Sequence, residues 1–434
     1  GVPLSGPTHV LSMGGLIVQL NKEELDMLNG RCGYPVQKAM EILVALGEAY
    51  GAERMVPVTG VHMPSTTVLI AGDAGVEFLE ELLDKGARFV VRTTTNPSAI
   101  DPCIWQSLRM PEEMVRKQLG FSEVFRQLGA LTCHTCSPYH IGFTPRLGEH
   151  VASGESSNVV YFNSVLGART NREGAPAAIA AALTGRVPGY GLHLTENRKG
   201  RVLVRVRTEL HDSTDYGALG YLVGKAYTRT VPVFEGVPPF ATSENLKYLG
   251  AALNSSGAIP LYHVVGVTPE APTVEAAFQH GKPEQVLDVT ETDIEGARAY
   301  LGRAEGDKVD WVVLGCPHAS IWELRELAQL ISGKRVSPNV EFWVCVAQPT
   351  KAYAQRMGYA QEIEKAGVKI VCETCPTVTC GRDIACKLGD KVTMATNSAK
   401  MAHYSPAECS VPAFYGTTQQ CVEAAISGTW RCAR

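Results

Sequence analysis

The sequence holds no G-x-G-x-x-G and no G-x-x-x-x-G-K-[ST], so neither a dinucleotide fingerprint nor a P-loop has support. No apolar run approaches the roughly 18 residues that cross a membrane; the most apolar helical stretch, Ala175–Leu183, is short and mostly alanine. Charge is sparse, at 19% of residues with a net of −4. No basic stripe offers itself to nucleic acid, and no block of one sign reads as a tail. Low-complexity tracts and short-period repeats are missing too. Residues 1–13, GVPLSGPTHVLSM, lack the charged start and apolar centre of a signal peptide. They read as a linker or cloning scar outside the fold, and a cytoplasmic protein is expected.

What is present is a chain of 434 residues, 45% hydrophobic, enough for two or three domains around a large core. It carries thirteen cysteines. An odd count without an export signal favours free thiols and metal ligands over disulfides. Cys136, Cys316 and Cys375 stand out. Each lies near the end of an apolar run and beside a small, polar loop: LTCHTCSPY, DWVVLGCPHAS and VKIVCETCP. Three thiolates from three separate loops suit a metal or iron–sulfur site, and three protein ligands leave one coordination position free. Cys133/Cys136 and Cys372/Cys375 are also C-x2-C pairs, so a four-cysteine structural zinc competes. The two pairs stand more than two hundred residues apart, far from the roughly 15–20 residues of usual zinc ribbons. Cys32, Cys103, Cys345, Cys386, Cys409, Cys421 and Cys432 read as small buried hydrophobes, and Cys380 stays open as a further ligand.

The broader pattern is helix, glycine, strand, loop. Asn21 with Glu24 forms a capping box, and Gly30 ends that helix. Val36–Tyr50 stops at Gly51 and leads to a strand over Met55–Val61. Val76–Leu83 leads to a strand over Arg88–Val91, Asp293–Arg303 to Trp311–Leu314, and Glu362–Ala366 to Val368–Cys372. Apolar runs alternating with amphipathic helices predict layered α/β domains with largely parallel strands. Ligands of such sheets bind beyond the strand C-terminal ends, where Thr93–Asn96, Cys316 and Cys375 fall. A domain boundary is expected near 185–240.

Two polar segments accompany the cysteines. Residues 154–172, GESSNVVYFNSVLGARTNR, crowd Glu155, Ser156, Ser157, Asn158, Asn163, Ser164, Arg169, Asn171 and Arg172 around an apolar VVYF. Buried without partners these groups would be costly, and arginine forks suit carboxylate or phosphate. A helix cap with a solvated loop is the plainer reading. In TNSAKMAHYSP (396–406), Asn397, Ser398 and Lys400 suit an anionic group, or form an ordinary cap beside a solvated lysine. GYGLH (189–193) adds His193 after a tight turn.

Taken together, the segments TCSPY (135–139), GESSNVVYFNSVLGARTNREG (154–174), GRVPGYGLH (185–193), YHVVGVTPEAP (262–272), LGCPHAS (314–320), CETC (372–375) and TNSAKMAHYSP resemble the large, catalytic part of aconitase X, a divergent branch of the aconitase superfamily. The resemblance runs from about residue 14 to 434. It implies an aconitase-like fold and a hydro-lyase that uses an iron–sulfur cluster of unspecified nuclearity. The implied ligands are Cys136, Cys316 and Cys375. The implied substrate contacts are Glu155, Ser156, Ser157, Asn163, Ser164, Arg169, Arg172, His193, Asn397, Ser398 and Lys400.

The implied substrate is a small hydroxy acid: cis-3-hydroxy-L-proline, giving Δ1-pyrroline-2-carboxylate, or mevalonate 5-phosphate. The imino acid is favoured because no dense Lys/Arg phosphate cradle is visible. A zinc-stabilised scaffold is the alternative of another class. The family also has a small swivelling domain, fused or on a separate subunit, for which this chain has no room. A partner of roughly 130–150 residues is therefore expected, and by analogy a serine on it serves as base. No catalytic base is assigned within this chain.

Overall fold

The computed structural model describes residues 18–431; residues 1–13, read as a linker, and Cys432 lie outside them. Asn21 caps the first helix, Lys22–Leu28, in the expected box with Glu24. Helix Tyr34–Tyr50 ends on Gly51 in a left-handed conformation. The next apolar run divides into two strands, β1 (Met55–Pro57) and β2 (Gly60–Met63).

One expected strand is displaced. Arg88–Val91 is not a strand; β3 is Arg92–Thr95. The apolar residues before it make only single backbone contacts, Phe89 N–H to Leu128 O and Val90 N–H to Ala182 O. The threonines, β-branched and suited to a pleated surface, form the ladder and are buried. Their hydroxyls stay satisfied: Thr93 Oγ1 donates to Val91 O at 3.0 Å, and Thr94 Oγ1 lies 2.9 Å from His62 Nδ1.

With β4 (Ala152–Ser153), β2 and β3 make a parallel sheet of order β3-β2-β4, while β1 pairs antiparallel with β5 (Arg186–Pro188). A second parallel sheet joins β6 (Val202–Val206), β7 (Pro232–Glu235), β8 (His263–Val264) and β9 (Gln285–Val289) in the order β8-β7-β6-β9. The third comprises β10 (Trp311–Ala319), β11 (Glu341–Val346), β12 (Lys369–Cys372), β13 (Met394–Thr396) and β14 (Ala413–Tyr415). Its order is β12-β11-β10-β13-β14, again parallel.

The third sheet is covered on both faces, as its continuous apolar runs require. Val312, Leu314, Phe342 and Val344 face helix Ile321–Ile331 and Val422 of helix Thr418–Ser427. Trp311, Val313 and Trp343, one residue out of phase, join the core that holds helices Ser213–Ala226 and Ser243–Gly257. Among the described residues no helix is long and apolar enough to cross a membrane.

Candidate active site

Two loops past strand C-terminal ends and an irregular stretch near the end of β10 deliver the three thiols. The chain after Leu131 runs beside β3, with His134 N–H on Thr95 Oγ1 (3.1 Å) and Thr135 N–H on Thr95 O (3.0 Å), and places Cys136 just past its end. Cys316 sits where pairing between β10 and β11 breaks, between Leu314 and Ala319. Gly315 makes that break possible: its φ is +82°, and a Cβ there would stand 2.2 Å from Cys345 O. Cys375 opens the turn after β12, accepting Val378 N–H at 3.1 Å. The loops touch one another. His318 N–H donates to Cys136 Sγ at 3.2 Å, and the Ser398 hydroxyl donates to Cys316 O.

All three thiols are buried. Burial pushes Cys316 up to about 12, against the pull of Lys400, and a charge on Cys375 raises it further. Burial likewise raises Cys136, with Glu155 and Cys375 adding to the effect, and it raises Cys375. Three thiolates become acceptable here once a cationic centre compensates them. Among the described residues no group of three or more His, Cys, Asp or Glu side chains is placed to hold a single metal ion. A cluster asks for something different, since each thiolate binds its own iron; this donor set fits that arrangement.

The partners in the C-x2-C pairs face elsewhere. Cys133 lies with Thr95 and Glu373. Cys372 lies with Asp101 and Lys351, its N–H on Asp101 Oδ2 at 2.7 Å. Cys380 is half-buried beside Thr379, and Cys345 is fully buried behind the thiols. Cys32, Cys103 and Cys386 are exposed, so the reading of them as small buried hydrophobes is corrected.

Against the thiols lies a buried ion pair. Glu155 caps helix Ser156–Ser164, accepting Asn158 N–H at 2.5 Å. Lys400 Nζ donates to Glu155 Oε1 (2.9 Å), Ser156 Oγ (3.0 Å) and Ser157 Oγ (3.3 Å). Burial alone would raise the Glu155 carboxyl, but the charge and hydrogen bond of Lys400, with Asn158 and Ser157, outweigh it and bring it to about 2. Burial likewise opposes the charge on Lys400, and Glu155 outweighs it in turn, holding the ammonium above the ordinary lysine range. Residues 156–164 are thus a fully buried helix and not a solvated loop. Lys400 stands in the first turn of helix Ala399–Glu408, capped by Ser398, and is likewise not solvated.

The structure divides the remaining candidates. Asn397 is at the thiol end, between Tyr248 Oη (3.4 Å) and Thr418 Oγ1 (3.2 Å). Arg172 is exposed beside Ser153, at the C-terminal end of β4. Asn163 and Ser164 are committed to the frame: Asn163 bridges Thr170, Pro260 and Arg198, and Ser164 Oγ accepts Tyr262 N–H at 2.9 Å. Arg169 pairs with His150 before β4 begins, and its Nη1 donates to His193 O at 3.0 Å. Arg169 and His193 therefore sit at the opposite end of the sheet from the thiols, apart from the other candidates.

Sequence reasoning missed three neighbours of this site. His62 on β2 is fully buried with Nε2 unpartnered; burial, opposed by Glu155 and Asn96, brings it to about 4. Tyr139, one turn past Cys136, stacks on Tyr161 at 3.6 Å and leaves its hydroxyl unpartnered. His318 bridges Thr135 Oγ1 (3.0 Å) and Thr374 O (3.2 Å). His62 lay just past the expected end of its strand; a histidine entering a Pro-Ser-Thr-Thr strand end was the available signal. Asn96, His134, Asn158 and Thr374 add further unpartnered buried atoms at this end. A concentration of such atoms is what a site shaped for a ligand leaves behind.

The sequence models of the aconitase X first, second and third domains match residues 17–196, 200–299 and 309–427. The chain belongs to the aconitase X family. It is 38% identical to a Thermococcus kodakaraensis aconitase X whose crystal structure, a holo-form, superposes with a TM-score of 0.82 over 94% of this chain and 99% of that one. A phosphomevalonate dehydratase large subunit of Methanothermobacter thermautotrophicus is 43% identical, over 92% of this chain and 96% of that protein. A cis-3-hydroxy-L-proline dehydratase of Pseudomonas aeruginosa is 34% identical, over 93% of this chain and 69% of that protein. Both groups of relatives are dehydratases, and this aconitase X chain is a hydro-lyase.

Proposed function

We propose that this chain is the cluster-bearing large subunit of a two-subunit dehydratase that removes water from mevalonate 5-phosphate. The observation carrying the substrate is the identity, 43% to a phosphomevalonate dehydratase large subunit against 34% to the cis-3-hydroxy-L-proline dehydratases. The imino acid, favoured on sequence grounds, keeps one supporting observation. Lys400 is paired with Glu155 and Lys247 with Glu323, whereas among the described residues Arg172 has no carboxylate partner. One unpaired guanidinium suits a substrate with a single carboxylate.

Eliminating water from a 3-hydroxy acid has two difficult parts: hydroxide leaves poorly, and the C2 proton is weakly acidic. An iron–sulfur cluster on Cys136, Cys316 and Cys375 supplies, when bound, a Lewis-acidic iron with one position no cysteine fills. Arg172 holds the substrate carboxylate at the strand ends and stabilises the charge that builds there as the C2 proton leaves. Lys400 holds Glu155 ionised, and Glu155 fixes Ser156 and Ser157 through their hydroxyls. Buried around the thiols, His62 and His318 stay neutral at pH 7 and add no charge of their own. The base that takes the C2 proton belongs to a small partner subunit, consistent with the large-subunit names of the relatives.

The test is an assay of the reconstituted two-subunit enzyme with each acid, following product by chromatography. Turnover of the phosphate ester alone supports the reading. Turnover of cis-3-hydroxy-L-proline alone reverses the substrate, and turnover of neither removes both.

A further inference from the structure

Arg169 and His193, which the thiol site does not use, meet again at the N-terminal end of the first sheet. They line a 480 Å³ cavity with His150, Arg54, Glu53 and Glu196. That volume holds a small metabolite. Glu155 is five positions past His150, about 16 Å of extended chain at roughly 3.3 Å per residue, so this cavity is separate from the thiols.

The frame is built from the backbone. Gly189 N–H donates to Arg54 O at 2.9 Å, and Arg169 N–H to Glu149 O at 2.8 Å. Inside, His193 is 2% exposed, and its Nε2 has no partner. Its Nδ1 lies 2.9 Å from His150 Nδ1. When His150 donates that bond, His193 carries its hydrogen on Nε2 and becomes a donor. Arg198 next door is paired with Glu270, but among the described residues neither Arg54 nor Arg169 has a carboxylate within ion-pair distance. Arg169 is half-buried, and burial followed by the charge of Arg198 presses its pKa below the ordinary value, with Glu270 and Glu196 offsetting only part of this. A half-buried, unpaired guanidinium beside a second cation is costly until an anion covers it. The two carboxylates of the lining, Glu53 and Glu196, are on the exposed rim.

We propose that this cavity is a second binding site, which takes the phosphate group of a small phosphorylated metabolite on Arg169 and Arg54. The site does not depend on which acid the enzyme dehydrates.

Calorimetry at low ionic strength with inorganic phosphate tests it on the cluster-loaded protein and on Arg169→Gln, Arg54→Gln and Arg172→Gln. One saturable site with millimolar affinity is expected, weakened about tenfold by each of the first two substitutions and unchanged by Arg172→Gln. Arg54 is exposed, so its variant folds even if Arg169→Gln does not. Absence of saturable binding overturns the proposal, as does binding untouched by Arg54→Gln. Binding lost only in Arg172→Gln would place the phosphate at the thiol end and overturn it as well. Cys316→Ala, which removes a thiol and leaves the cavity intact, should bind phosphate like the parent; failure of the dehydratase reading would leave that result standing.

Discussion

Lys400 Nζ lies 2.9 Å from Glu155 Oε1, and 245 residues of sequence separate the two. Glu155 caps a helix that follows β4 of the first sheet; Lys400 opens one that follows β13 of the third. The pair ties two sheets together at the floor of the thiol site. Two buried charges repay their desolvation only through each other. Removing one, as in Lys400→Met or Glu155→Gln, should cost about 3–5 kcal/mol because the other is left buried and alone. The double substitution Lys400→Met/Glu155→Gln should cost clearly less than the sum. Denaturant unfolding of the four proteins gives the coupling energy, and additive losses would show that the pair does not act as a unit.

Cluster ligation has a sharper signature. Cys136→Ala, Cys316→Ala and Cys375→Ala should each lose iron, acid-labile sulfide and activity together. Cys133→Ala and Cys372→Ala, whose thiols face Thr95 and Asp101, should keep most of all three. Equal loss in all five would favour a four-cysteine site. Stoichiometric zinc in a colourless protein would favour the scaffold reading.

Gly315→Ala tests the geometry without touching a ligand. Its left-handed φ and the 2.2 Å approach to Cys345 O leave no place for a methyl group. The variant should retain all cysteines by thiol titration in denaturant yet bind less iron than the parent.

Acid stability should follow His62. Its folded pKa, about 4, is below the ordinary 6.5 because burial disfavours the imidazolium. The unfolded chain therefore binds the proton first. Stability from this group is intact above pH 6.5, erodes as pH falls towards 4, and is lost below that, by up to about 3 kcal/mol for a shift of this size. Glu155 acts later, since its lowered pKa costs stability only as pH falls from 4.5 towards 2. His62→Gln should flatten the loss between pH 6.5 and 4, measured by urea midpoints.

Much of this was legible in the sequence, and the reason differs by residue. Cys136, Cys316 and Cys375 were visible because each ends an apolar run, and strand ends are where parallel sheets expose their loops. The strand over Arg92–Thr95 was not, because its threonines read as loop until their hydroxyls find Val91 and His62. Arg169 and Arg172 lie three residues apart in one polar segment and could not be told apart. Only pairing with β4 sends one to each end of the sheet. Lys400 read either as an anion-binding group or as a solvated lysine, and its pairing with Glu155 was hidden because the two are 245 positions apart.

A partner subunit should be seated by two exposed aromatic side chains that flank the Lys247–Glu323 ion pair in sequence. Phe240 is 81% exposed and Trp322 61% exposed. Phe240 precedes helix Ser243–Gly257, whose Lys247 and Tyr248 both reach Glu323, the residue after Trp322. Large exposed aromatics become binding hot spots once buried, and a lid over the thiols would exclude water that competes for the iron. A small subunit of roughly 130–150 residues, near the common domain size, should therefore raise activity from near zero. It should also shift the tryptophan emission of this chain to shorter wavelength. Trp322→Ala and Phe240→Ala should weaken association by about tenfold or more and leave iron content unchanged. Full activity of this chain alone, or tight association in both variants, would show that this edge carries no partner.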